Sequence, residues 1–162
     1  ARTTASSVYY MKASIDAPPY QDEGFDVVFS SLALHYLPDV AAICRTVRRV
    51  SISGGWFVFS VEHPIYTAPS QPGWQTLPDG ATAWALNEYL NEGLRKTDWL
   101  VKGVEKYHRT IGTYLDGLID HGFRLARLVE WGPTPEQIAD NPEWAVEVHR
   151  PPFLLIAAQV IN

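Results

Sequence analysis

Cysteine and methionine occur once each in these 162 residues. Cys44 therefore has no internal disulfide partner, and its place in an apolar helical pattern suits a small buried residue better than a nucleophile. Metal-ligand patterns are missing as well. The histidines at 35, 63, 108, 121 and 149 are scattered, with no H-E-x-x-H pair and no paired cysteines, so no metal is expected. No G-x-S-x-G elbow occurs, which excludes the usual α/β-hydrolase nucleophile, and no G-x-G of any kind is present. Positive charge is short: 13 Lys and Arg against 18 Asp and Glu give a net charge of −5, the wrong sign for a nucleic-acid surface. The basic cluster Arg45, Arg48 and Arg49 reads as a solvated helix face. No apolar run is long enough to span a membrane and no signal peptide is visible, so a cytoplasmic, membrane-free protein is expected. Internal repeats and low-complexity tracts are absent too.

What is present is one domain's worth of globular chain, 46% apolar and 12% aromatic. It is organised around residues 25–65, FDVVFSSLALHYLPDVAAICRTVRRVSISGGWFVFSVEHPI. The apolar run 25–29 is too short for a helix and rich in β-branched and aromatic residues, so it reads as a strand. Ser30 and Ser31 end it, and residues 32–37 form a loop carrying His35 and Tyr36. Pro38 and Asp39 open a helix with Ile43, Val47 and Val50 on one face. Gly54-Gly55 supplies a turn, and residues 56–61 make a second strand. Strands this continuously apolar suit a sheet covered on both faces. The pattern is half of a doubly wound α/β domain.

The order FDVV, SSLALHYL, PD, helix, GG and apolar strand resembles the second half of a class I S-adenosylmethionine-dependent methyltransferase of the small-molecule type. The loop SSLALHYL is the most specific part. The helix-to-strand turn departs from the family: Ser51-Ile52-Ser53-Gly54-Gly55 stands where Leu-Lys-Pro-Gly-Gly is usual. The resemblance implies a Rossmann-like sheet, here partial, with S-adenosylmethionine as cofactor and a small-molecule methyl acceptor as partner. It also implies that the glycine-rich loop and the acidic ribose ligand lie upstream of Ala1, so that 1–162 is an incomplete methyltransferase domain. Residues 8–13, with strand propensity, correspond to the family's third strand, and the adenine-binding carboxylate position falls on Ser14, followed by Ile15. Ser14 and Asp16 alternatively make only a turn. Ser30, Ser31 and Leu32 correspond to groups beside the cofactor's methionine portion, in keeping with ligand binding at the carboxyl ends of strands. Strands missing between 8–13 and 25–29 would leave an open edge through which copies could self-associate.

His35 is the catalytic candidate, able to accept a proton from a hydroxyl or amine; its alternative is packing of the loop. Glu62-His63 ends the second strand and either orients a substrate or pins the loop. Residues 66–107 leave the core pattern, with turn-forming Pro and Gly and with Trp74, Trp84 and Trp99 spread among them. This insertion is expected to act as an aromatic lid over the acceptor, or else to form its own satellite core. Within it, residues 99–109 return as a β ribbon ending in His108 and Arg109. His63, Trp74, Trp99, His108 and Arg109 are thus the substrate-binding candidates.

A helix over 110–121 with Ile111, Leu115, Leu118 and Ile119 on one face and Gly122 as its stop comes next. A strand over 123–131, a polar connection with a short helix near 135–140, and a buried strand over 153–161 complete the chain. That order matches the antiparallel hairpin closing a class I methyltransferase sheet. Two rival functions remain at this level: a non-catalytic methyltransferase-like interaction module and a nucleotide-binding oxidoreductase domain, the latter normally ending in a parallel strand.

Overall fold

The computed structural model describes residues 8–15, 17–99 and 101–161, the side chain of Trp99 excepted. Residues 1–7 and Asp16, the latter read above as part of a turn, lie outside the described residues.

The central stretch folds as β1 (Phe25–Ser31), a 3-10 turn (Leu34–Tyr36), α1 (Val40–Val50) and β2 (Ser51–Glu62). Asp39 starts α1 as its side chain accepts the Ala42 N–H at 2.9 Å. Val40, Ile43, Cys44, Val47 and Val50 form the buried stripe. Of the arginines on the other side, Arg49 is not merely solvated: it donates to the Tyr20 carbonyl and to Asp22, each at 2.7 Å, and so fastens the incoming loop.

Gly54-Gly55 does not make a turn between helix and strand, as expected. β2 begins directly at Ser51, and the two glycines sit in an irregularity where the β1 register jumps from Phe25↔Ser51 to Val27↔Trp56. A Cβ on Gly55 would lie 2.9 Å from the Ile52 carbonyl oxygen and 3.2 Å from that of Asp26. The close approach of backbones is what requires glycine there.

Beyond the insertion come α3 (Ile111–Ile119), β7 (Phe123–Trp131), α4 (Pro135–Asp140), a 3-10 segment (Pro142–His149) and β8 (Phe153–Val160). The sheet order is β1-β2-β8-β7: β1 and β2 are parallel, and β8 runs antiparallel to both β2 and β7. The closing antiparallel strand is as expected. The α3 stripe differs by one side chain, since Tyr114 is buried at 2% exposure while Ile119 is 59% exposed. Tyr114 supplies the inner face by lying 6.2 Å from the Phe59 ring.

Two expectations are corrected. Residues 8–13 form no strand, although Val8, Tyr9 and Tyr10 have the propensity. Strand formation needs a ladder partner, and β1 is the edge of the described sheet with no strand beside it. Nor is the sheet covered on both faces by described residues. The core, including Phe57, Phe59, Val61, Leu154 and Ile156, lies on the α1/α3 side. Val27, Phe29, Trp56 and Leu155 on the opposite side stay exposed.

The insertion contains α2 (Pro64–Thr67) at its root and two antiparallel ribbons, β3 (Trp74–Thr76) with β4 (Thr82–Trp84) and β5 (Gly93–Trp99) with β6 (Val101–His108). The second is the expected returning ribbon. It carries the inward side chains of β6 over the carboxyl end of β2.

Candidate active site

Because β1 and β2 are parallel, their carboxyl ends open on the same edge of the sheet. The chain leaves β1 through Leu32, whose φ of 49° turns the backbone sharply. Its N–H is held by the Ser60 carbonyl at 3.0 Å and by Ser60 Oγ at 3.2 Å. The following 3-10 turn tucks His35 inside at 1% exposure, where Nδ1 accepts the backbone N–H of Glu62 at 3.3 Å. Burial, followed by the positive charges of Lys106 and Arg109, lowers the His35 pKa to about 4. The imidazole is neutral at pH 7 and has one nitrogen committed to the strand end.

Two cavities meet this edge. The first, of about 390 Å³, brings Ser14 and Ile15 together with Val28, Ser30, Leu34 and Ile43. Ser30 Oγ is buried there with no hydrogen-bond partner among the described residues. Ser31 and Leu32 do not join this cavity; they lie towards the open face of the sheet.

The second cavity, about 350 Å³, lies between the end of β2 and the insertion. Its floor is an ion pair: Lys106 Nζ donates to Glu62 Oε1 at 2.6 Å, with side chains only 4% and 11% exposed. The other carboxylate oxygen, Oε2, is buried without a partner among the described residues. Its wall is Arg150, whose guanidinium lies 4.3 Å from the ring centres of Tyr66 and Trp84 and 4.9 Å from that of Trp74. Glu147 accepts from Arg150 Nη2, while Arg150 Nε has no partner among the described residues. Thr97 Oγ1, on β5, is likewise unsatisfied. Burial, then the Glu62 charge, raises the pKa of the Tyr66 phenol.

Of the five substrate-binding candidates, Trp74 lines this cavity, in edge contact with Trp84 at 5.1 Å. The Trp99 side chain lies outside the described residues, its backbone pairing with Val101. The other three are turned inward. His63 is fully buried, accepts the Ile65 N–H at Nδ1 and meets Glu130 at Nε2, 2.9 Å away. His108 is equally buried, between Thr67 Oγ1 at 2.8 Å and the Tyr89 carbonyl at 2.9 Å. Arg109 donates to the Leu37 carbonyl and lies over Tyr114. These three fasten strand end, ribbon and helix to each other. Lys106, Thr97 and Arg150 were not singled out from the sequence, whereas Glu62 was read with His63 as a pair that orients a substrate or pins the loop. Only Glu62 had a signal, its position at the last residue of a strand.

Comparison with known proteins agrees with this architecture. The methyltransferase-domain family matches residues 1–59. An S-adenosylmethionine-dependent methyltransferase of Mesorhizobium loti superposes with a TM-score of 0.91 at 48% identity, over 96% of this chain and 71% of its own. A Listeria monocytogenes protein assigned to the same class gives 0.88 at 38% identity, over 99% and 72%. The chain belongs to the S-adenosylmethionine-dependent methyltransferases. An uncharacterized protein of Haemophilus influenzae is 34% identical over 144 residues, 85% of this chain, which spans only 55% of that relative's length.

The chain has the Rossmann-like sheet of that family. Among the described residues, no group of three or more His, Cys, Asp or Glu side chains could hold a metal ion. No described helix is long and apolar enough to cross a membrane.

Proposed function

We propose that the protein transfers the methyl group of S-adenosylmethionine to a small-molecule acceptor bound between the carboxyl end of β2 and the insertion 66–107, which serves as its lid. The observation that carries this reading is the second cavity. It opens at the strand end where the family does its chemistry, and its volume of about 350 Å³ suits a small molecule.

The first cavity fits the cofactor. Ser14, Ile15, Val28 and Ser30 line it together, and Ser30 Oγ, which has no partner among the described residues, offers a hydrogen bond to a polar ligand in a largely apolar wall. Ser31 and Leu32 contribute the turned backbone that ends β1. Bound there, the cofactor supplies an electrophilic methyl group on a sulfonium.

The chain's own residues then have to align the acceptor, keep water out and receive a proton. Trp74, Trp84 and Tyr66 exclude water. Glu62 suits the proton acceptor better than His35: it lines the second cavity and its Oε2 has no partner among the described residues, with Lys106 holding Oε1, whereas His35 is buried and accepts a backbone N–H. His35 positions the Glu62 backbone instead. His63, His108 and Arg109 keep the lid ribbon in register with the strand end. The reading includes a cytoplasmic setting, with neither nucleic acid nor membrane as partner.

Calorimetric titration of the complete protein tests the cofactor half of this reading. S-adenosylmethionine is expected to bind at micromolar concentration, to the parent and to Glu62→Gln alike, while a nicotinamide dinucleotide does not bind. Binding of the dinucleotide in preference to S-adenosylmethionine would overturn it.

A further inference from the structure

Three polar atoms in the second cavity lack partners among the described residues, and they are of complementary kinds: Glu62 Oε2 accepts, Arg150 Nε donates, and Thr97 Oγ1 does either. A buried polar group without a partner costs free energy, so three in one cavity mark where a ligand's own groups belong. The cavity's charges are already matched. Lys106 is paired with Glu62, and Arg150 with Glu147. Arg95 and Asp98, which also line it, add one charge of each sign. A net-charged ligand would find no uncompensated counter-charge. The aromatic wall of Tyr66, Trp74 and Trp84 favours a flat apolar body.

Resting on the reading of this cavity as the acceptor site, we propose that the methyl acceptor is a small, neutral, planar molecule. It presents an O–H or N–H to Glu62 Oε2 and a carbonyl-type acceptor to Arg150 Nε and the Thr97 hydroxyl. Selectivity comes from the unsatisfied polar atoms of the cavity: a ligand lacking either group leaves one of them unpaired. Arg150 is a recognition residue held rigid by its three rings and Glu147, and Lys106 fixes the Glu62 carboxylate so that Oε2 stays turned to the ligand.

The test uses the complete protein and three aromatic probes, followed by calorimetry and by the quenching of tryptophan fluorescence. Salicylamide carries both groups and no charge, acetophenone keeps the carbonyl but has neither O–H nor N–H, and salicylate replaces the amide by a carboxylate. Salicylamide is expected to bind at least tenfold more tightly than either of the others. Glu62→Gln should bring salicylamide and acetophenone within about threefold of each other, and Thr97→Val should weaken salicylamide with little effect on a control ligand lacking the carbonyl, phenol. Thermal unfolding of each variant separates lost binding from lost folding. Equal binding of salicylamide and acetophenone to the parent would overturn the proposal, as would a preference for salicylate, or no binding of any probe. S-adenosylmethionine titrated in the same samples separates the two levels. Cofactor binding without probe discrimination sinks the acceptor class and leaves the methyltransferase reading standing; probe discrimination without cofactor binding does the reverse.

Discussion

At the residue scale, three buried histidines act as neutral hydrogen-bonding struts. His35, His63 and His108 all have lowered pKa values, burial being the largest cause in each. For His35, with a folded pKa of about 4 against an ordinary 6.5, the unfolded chain binds more protons between those values. Its contribution is therefore complete above pH 6.5, falls as pH drops and is gone below about 4. That window is worth roughly 3 kcal/mol from His35, and the other two histidines act in the same direction. The lowered carboxyl pKa values of Asp39 and Glu92 extend the loss to lower pH. Denaturant unfolding at pH 7 and 4.5 checks this: His35→Asn should shrink the stability difference between the two pH values by about 2 kcal/mol. An unchanged difference would mean that His35 titrates normally. The sequence could not show this inward turn, because a histidine at a strand end reads the same whether it faces a cavity or the core. His63 and His108 were expected at the substrate for that reason. Buried lysine is harder still to foresee: the carboxylate that makes the burial of Lys106 tolerable, Glu62, lies far away in the sequence, whereas Arg150 has Glu147 three residues before it.

At the element scale, the chain's own signals were good where local chemistry decides the outcome. Asp39 caps α1, Thr110 caps α3, and Thr134 with Gln137 forms a capping box for α4. They were weaker where a partner element decides. Residues 8–13 have strand residues but no neighbouring strand, and Gly54-Gly55 looked like a turn because its role depends on β1 passing against it. Gly55→Ala tests that role. Its Cβ would press on backbone carbonyl oxygens of both Ile52 and Asp26, which cannot rotate away as a side chain would. A loss of about 2 kcal/mol in unfolding free energy is expected. A neutral substitution would show that the strand irregularity relaxes freely.

At the scale of the whole molecule, the parallel β1–β2 pair, the antiparallel closing strand β8 and the cavity-forming insertion make one continuous edge. The closing hairpin and the ribbon before it were legible from the sequence, since long apolar strands and runs of strand-forming residues announce themselves. The open face was not, because an apolar strand reads alike whether one side or both are covered. That face, with Val27 and Phe29 beside the β1 edge, is a surface on which apolar groups invite pairing. Residues 1–162 alone are expected to associate, and light scattering should show a mass above that of the monomer. The double change Val27→Lys, Phe29→Lys should lower it. A monodisperse monomer of the parent chain would contradict this use of the face.

The central claim is that the cavity under the insertion holds a small methyl acceptor and that Glu62 takes its proton. The most direct measurement gives the complete protein S-adenosylmethionine labelled in the methyl group, with a small-molecule extract and separately with bulk protein and nucleic acid. The account predicts label in the small-molecule fraction, reduced roughly a hundredfold or more by Glu62→Gln with the cofactor still bound. Label confined to macromolecules, or transfer to small molecules at the parental rate in Glu62→Gln, would contradict it.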